Sequence, residues 1–288
     1  MKYAVIQENE KVWPISIQCE TLKVSRSGYY SWRYRTPSNR ALENQKLDEK
    51  IKDIYHDHKG RYGVPRITDE LKDQGEKVNK KKVEKRMRAL NLKGKQAKKF
   101  KVTTDSNHQL PIAKNLLKQD FTATDINQKW AGDITYIWTK TGWLYLAVII
   151  DLFSRQVIGW SLSNRINKEL VCNALQMALW RRGFPKDVIV HTDRGSQYCS
   201  NKYQKLLKDN HLKCSMSGKG CCYDNAVSES FFHTLKVECL FDYIFANREN
   251  AKQVIFEYIE IYYNRKRKHS TIGHKTPAQY ELLTRKAS

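Results

Sequence analysis

Long apolar runs are missing from this chain. The strongest, 143–150, stops at Asp151, far short of the roughly 18 consecutive apolar residues of a membrane span, so an integral membrane helix is not expected. The N-terminus lacks such a run too, carrying Glu8 and Glu10 where a secretory signal needs apolar residues. A paired set of cysteines is also missing. The seven Cys are odd in number and Cys221 and Cys222 are adjacent, which argues against a secreted disulfide framework and for reduced thiols in a cytosol. Acids are scarce: 30 Asp and Glu stand against 52 Lys and Arg, a formal charge of +22, so a polyanion is the first partner to expect. No internal repeat or long heptad repeat is found. With hydrophobic residues at 40%, the composition excludes disorder throughout, and 288 residues suffice for two or three folded units.

The charge is uneven. Residues 76–101 hold 12 basic side chains and only Glu76 and Glu84 as acids. Residues 14–35 pattern as helix, turn and helix around Ser25-Arg26-Ser27-Gly28, which suits a helix-turn-helix as well as an ordinary helical hairpin. A second such unit follows. Leu47, Ile51 and Ile54 recur at helical spacing, Ile67 and Leu71 start another helix, and 80–90 places Val83, Met87 and Leu90 on one face. Lys81, Lys82, Lys85, Arg86 and Arg88 fill the rest of that last helix, and five cations almost without acids favour a phosphate-facing surface over a merely solvated one. The organisation expected is a helix-turn-helix-like segment at 1–40, a second at 41–94, a basic linker at 95–128, an α/β core at 129–240 and a helical basic extension at 241–288.

In the core, 131–138, 143–151 and 155–163 are rich in β-branched and aromatic residues and read as consecutive antiparallel strands. Helices at 167–182 and 201–210 alternate with short strands at 188–191 and 212–216, and a further helix opens at Glu229. A mixed five-stranded sheet flanked by helices buries this order economically.

Three acids stand out by placement. Asp133 lies inside a strand, where a charge needs a reason. Asp193 follows the C-terminal end of a short apolar strand, and Glu229 follows the Gly-rich loop 217–225. If the first and fourth strands are neighbours, the two Asp carboxylates meet and the helix brings Glu229 over them. Two Mg²⁺ or Mn²⁺ ions, roughly 3.5–4 Å apart, need such hard oxygen ligands in phosphoryl transfer. Asp151, at a strand end, is a rival whose plain reading is a turn-starter. Lys236 lies two helical turns beyond Glu229 on the same face, where an ammonium could hold a phosphate.

These residues resemble a family: the OrfB transposases of bacterial insertion sequences, the insertion sequence 3 family, whose integrase catalytic core is shared with retroviral integrases. The likeness rests on Trp130-Ala131-Gly132-Asp133-Ile134-Thr135-Tyr136, Asp151-Leu152-Phe153-Ser154-Arg155 and His191-Thr192-Asp193-Arg194-Gly195-Ser196-Gln197-Tyr198. It continues in Asp224-Asn225-Ala226, Glu229-Ser230-Phe231-Phe232, Thr234-Leu235-Lys236 and Glu238, and in Tyr263-Asn264, Arg267 and His269-Ser270. The 35 residues between Asp193 and Glu229 match the family's spacing. The N-terminal text 22–32 is similar to the family as well.

The resemblance implies a ribonuclease H-like core and Mg²⁺-dependent strand cleavage and transfer. It implies Asp133, Asp193 and Glu229 as catalytic metal ligands and Lys236 as a catalytic DNA contact. Further DNA contacts are expected from Lys81, Lys82, Lys85, Arg86, Lys219, Arg265 and Arg267. The expected partners are double-stranded DNA (element ends and target), further copies of the chain on that DNA, and the product of a companion reading frame. The expected location is the bacterial cytoplasm, at the nucleoid. No structural zinc is expected, because His56 and His58 are close but no Cys-x-x-Cys follows. Two other readings stay open: a non-catalytic DNA-binding regulator, and a metal-dependent nuclease that only hydrolyses.

Overall fold

A computed structural model describes residues 1–96, 111–218 and 222–287. The chain divides into two compact units, Met1–Gly60 with Glu70–Lys93, and Arg61–Asp69 with Gly94–Ser288.

The first unit is helical. Helices α1 (Lys2–Glu8), α2 (Ile15–Thr21) and α3 (Arg26–Arg33) bury Ile6, Cys19 and Tyr29 against one another. The α2–α3 hairpin matches the expected spacing. The α1 helix was not expected, yet its Tyr3 and Ile6 sit three apart and pack on the same small core. Ser25 starts α3 by accepting a hydrogen bond from the Gly28 amide at 3.0 Å. Helix α4 (Asn39–Asp57) presents Leu47, Ile51 and Ile54 on one buried face. Helix α5 (Val64–Asp73) contributes residues to both units. Helix α6 (Lys80–Ala89) packs on α4, burying Val83 and Met87, and is capped by Asn79, whose side chain accepts from the Lys82 amide at 2.8 Å.

The second unit is built on one sheet. Strands β1 (Lys129–Thr139), β2 (Gly142–Asp151) and β3 (Val157–Ser163) form an antiparallel meander, as short connections require. Helix α7 (Lys168–Arg182) then crosses over to β4 (Ile189–Thr192), and the short α8 (Ser196–Cys199) with α9 (Asn201–Asp209) crosses to β5 (Lys213–Met216). Both later strands lie parallel to β1, giving the order β3-β2-β1-β4-β5. The expected ribonuclease H-like mixed sheet of five strands flanked by helices is therefore present. Trp130, Ile149, Leu175, Val190, Tyr203 and Met216 belong to its core. Gly159 lets α7 lie close on β3, since a Cβ there would sit 2.2 Å from the Ala174 carbonyl oxygen.

After β5, a 3-10 turn (Cys222–Asn225) leads into α10 (Ala226–Leu235), which continues as a π-helical turn, Lys236–Leu240. The helix opens three residues before Glu229, placing that residue in its first turn. Helix α11 (Arg248–Phe256) likewise runs on as a π-helical segment, Glu257–Tyr263, before α12 (Pro277–Ala287). Asn264 clamps the start of β3, donating to the Val157 carbonyl and accepting from its amide, each at 3.0 Å. Among the described residues no helix is long and apolar enough to cross a membrane.

Candidate active site

Strands β1 and β4 run side by side with Ala131 opposite His191, and Asp133 and Asp193 each follow two residues later. The parallel register that the crossover imposes thus brings Asp193, the residue just past β4, toward Asp133 within β1. The Asp133 carboxylate accepts from the Ile134 amide at 2.8 Å, and that of Asp193 from the Gly195 amide at 2.9 Å. Helix α10 packs against β1 and carries Glu229 on its exposed side.

The electrostatics tie the three acids together. Burial, then the negative charge of Asp193, push the Asp133 carboxyl well above the usual carboxylate range, and Glu229 adds to that push. Lys236 opposes it. Burial raises Glu229 as well, and burial lowers Lys236 against the attraction of Asp133. The Lys236 ammonium lies 5.5 Å from the centroid of the Tyr136 ring, a cation–π contact. The acids are therefore electrostatic neighbours, while among the described residues no three His, Cys, Asp or Glu side chains meet closely enough to hold a metal ion.

The chemistry of the donor set nevertheless fits a hard divalent cation. Crowded carboxylates resist ionising together, and a divalent charge among them removes that resistance. Tyr198 strengthens the fit. Its hydroxyl is buried with no hydrogen-bond partner among the described residues, and burial, then Asp133 and Asp193, push it well above the ordinary phenol range. Buried His191 of β4 joins Ser215 of β5 at 2.8 Å and Ser217, just past it, at 3.2 Å.

Asp151 lies elsewhere and has a different task. It is fully buried opposite Trp130, accepts from the Asn127 and Phe153 amides at 2.9 and 3.0 Å, and faces Arg182 at 3.7 Å. It braces the turn after β2.

The expected DNA contacts separate into three groups. Lys81, Lys82, Lys85 and Arg265 are exposed, and Lys82 and Lys85 line, with Arg40, a concavity of about 660 Å³ in the first unit. Two arginines are held by carboxylates of the chain itself, Arg86 half-buried on that same concavity and Arg267 buried. Arg86 pairs with Asp48 across the α4–α6 contact, and Arg267 is buried, its guanidinium donating to the Glu238 carboxylate at 2.9–3.0 Å. Lys219 lies outside the described residues.

Glu238 belongs to the motif text of the sequence, which assigns it no role. It sits on the π-helical turn after α10 and receives Arg267, Arg66 at 3.1 Å and the Tyr258 hydroxyl at 2.9 Å. Its carbonyl accepts from Arg61 at 3.0 Å, and the Arg61 guanidinium stacks over Tyr262 at 4.1 Å. This knot anchors the helix that carries Glu229 and Lys236. A single acid, Glu238, following Lys236 within an apolar stretch was the available signal, but its partners lie far along the chain at 61–66 and 258–267. In the sequence Tyr198 has no signal beyond its motif, and the exposed aromatics near Lys236 read only as strand formers.

Residues 123–222 match an integrase core domain, 229–284 a further integrase core domain, and 42–100 an HTH-like domain. Among solved structures, that of the HTLV-2 integrase catalytic core domain in complex with magnesium is 22% identical, with a TM-score of 0.41, covering 55% of this chain and 98% of that one. The Insertion element IS600 uncharacterized 31 kDa protein of Shigella sonnei is 45% identical over 262 residues, 91% of this chain and 96% of its own length. Transposase InsF for insertion sequence IS3A of Escherichia coli (strain K12) is 51% identical over 283 residues, 98% of each chain. With identity at that level along nearly the whole of both proteins, this chain belongs to the insertion sequence 3 family of transposases.

Proposed function

We propose that the chain cuts DNA at the ends of its element and joins the freed ends to a second phosphodiester, with Asp133, Asp193 and Glu229 holding two Mg²⁺ or Mn²⁺ ions. The observation that carries this reading is the crowding of Asp133 by Asp193 and Glu229 beside the Lys236 ammonium, in a chain whose net charge is +22. When bound, the ions supply Lewis acidity at the scissile phosphate and make the attacking oxygen more acidic. The chain's own residues do the rest. The Ile134 and Gly195 amides fix the orientation of the Asp133 and Asp193 carboxylates, and the Glu238 knot seats the helix that carries Glu229. Lys236 offers a positive charge to a phosphate oxygen, its stem steadied on Tyr136. Water attacks in the first step and the resulting 3′-OH in the second, so the protein forms no covalent bond to DNA.

The α6 lysines contact duplex phosphates, Arg265 adds a contact from the second unit, and several copies of the chain act together on the element ends. A companion reading-frame product is a further partner, and the place of work is the bacterial nucleoid. The deciding experiment incubates the protein with oligonucleotides matching its element's ends and Mg²⁺ or Mn²⁺. Joined products support the proposal. Cleaved but unjoined strands make the protein a hydrolytic nuclease, and binding without cleavage makes it a regulator; either result overturns the reading.

A further inference from the structure

Three large aromatic side chains stand exposed on the β1–β2 hairpin: Trp138 at 58%, Trp143 at 43% and Tyr136 at 38%. Trp138 and Trp143 are opposite each other in the register, and Tyr136 lies two residues back on the same face. Their alternating neighbours Thr135, Ile137 and Thr139 are buried, so those residues already serve the fold. The outward aromatic row is not needed for that, and a contiguous exposed patch of this kind marks an interaction site. Ring centroids are 4.8 Å apart for Trp138 and Trp143 and 5.3 Å for Tyr136 and Trp143, with planes inclined at 70° and 85°. A pair of rings that meets edge to face covers one ring face where a parallel pair covers two.

Cations mark both ends of the row. Lys236 lies over Tyr136 and within reach of Asp133. At the hairpin turn Arg248 donates to the Trp143 carbonyl at 3.0 Å. Gly142, at φ +106, makes room for it, because a Cβ there would lie 2.7 Å from the Arg248 guanidinium. The order along the surface is acidic cluster, cation, aromatic rings, cation. A greasy protein surface would match the rings but not their charged borders. Nucleic acid matches both, with flat bases for the rings and phosphates for Lys236 and Arg248. Bases inside a duplex are already stacked, which leaves unpaired ones.

We infer that the outer face of the β1–β2 hairpin is a stacking platform for unpaired nucleotides next to the acidic cluster, with Tyr136, Trp138 and Trp143 against bases and Lys236 and Arg248 at phosphates. The inference rests on the acidic cluster being the DNA-processing site, so the test is made without cleavage. The full-length protein in EDTA is titrated with a blunt 20-base-pair duplex, the same duplex bearing a six-nucleotide thymidine tail, and single-stranded (dT)20, by fluorescence anisotropy.

The tailed duplex and (dT)20 should quench tryptophan emission. Trp138→Ala and Trp143→Ala should each weaken their binding about 5- to 100-fold, the span of one lost stacking contact, and leave the blunt duplex unchanged. Trp143→Phe, which keeps a ring, should retain most of the affinity, and Arg248→Gln should lower the (dT)20 salt slope by about 0.7. Equal losses on blunt and tailed DNA, or none on either, overturn the platform. So does a self-associated species in sedimentation that both alanine variants abolish, because the row is then a contact between copies. Because every titration is made in EDTA, these readouts do not depend on cleavage and separate a failure of the platform from a failure of the proposed reaction.

Discussion

Glu229 and Glu238 are nine residues apart on one run of helix, yet their surroundings follow opposite electrostatic rules. Burial raises Glu229, and beside it Asp133 is raised by burial and then by the negative charges of Asp193 and Glu229, with Lys236 opposing. Burial also pushes Glu238 up, but Arg267 above all, with Arg66 and the Tyr258 hydroxyl, outweighs it and holds the carboxyl below its ordinary value. The first centre is under-compensated from within and therefore open to a cation from outside. The second is fully compensated and gains nothing from one. A buried acid whose charge is matched on every side serves architecture, whereas one crowded by its own kind costs stability that only a ligand repays.

The sharpest way to break this contrast is to remove charge from each centre in turn. At the first, Asp133→Asn should reduce cleavage and joining by at least ~10³-fold, as loss of a central catalytic group does. Without divalent metal, the same change should raise the melting temperature by ~2–4 °C, the response of a domain this size to about 1 kcal/mol. The sign follows from the raised carboxyl. The folded state holds its proton more tightly than the unfolded chain, so stability is lost as pH rises from about 3.9 through the folded value. The Asn variant should lack that decline. Added Mg²⁺ should stabilise the wild type and not the variant, read by calorimetry. A variant that melts lower, with activity intact, would show that Asp133 is ordinary.

At the second centre, Glu238→Ala should cost about 3–5 kcal/mol, because Arg267 is left buried and unpaired. Replacing both partners with methionine should recover most of it. Here the pH dependence reverses. The lowered Glu238 carboxyl contributes stability above the unfolded value of about 4.3, and the contribution disappears as pH falls through the folded value. Glu238→Gln should therefore flatten the acid limb of a stability–pH curve, in contrast with Asp133→Asn, which removes a loss of stability as pH rises toward neutrality. Matching curves for the two variants would erase the distinction between the centres.

The sheet was legible in the sequence because its signals are local. Alternation and short breaks mark β1 to β3, and Asn167 with Gly183 brackets α7. The approach of Asp133 to Asp193 was legible only on the condition that the first and fourth strands are neighbours, which the order β3-β2-β1-β4-β5 fulfils. What escaped was long-range or two-sided. The Glu238 knot joins residues that the chain separates by more than 170 positions, as in its contact with Arg61, and no pattern within a short window announces it. Arg86 and Arg267 look like any other cation in a basic chain until Asp48 and Glu238 are seen to hold them. Trp138 and Trp143 satisfy β-propensity whether they face in or out, so strand prediction is indifferent to their exposure.

The distinction between held and unheld charge extends to the helical unit, where the expected effect is smallest in energy but clean in form. On α6, Lys81, Lys82 and Lys85 are exposed, while Arg86 on the same helix is committed to Asp48. Each lysine that neutralises a duplex phosphate releases condensed counterions, so log K falls with log salt by ~0.9 per contact. Changing all three lysines to glutamine should flatten the slope for duplex DNA by about 2.7, with no change in melting temperature beyond ~1 °C, since exposed charges contribute little to stability. Arg86→Gln should do the reverse, lowering the melting temperature and leaving the slope within about one contact of wild type. Fluorescence anisotropy between 50 and 300 mM salt reads the first effect and calorimetry the second. If the triple variant keeps its slope, α6 is a solvated face and the phosphate contacts belong to Arg265 and the second unit. If Arg86→Gln flattens the slope as a lysine does, its bond to Asp48 opens on DNA and the guanidinium is not committed after all.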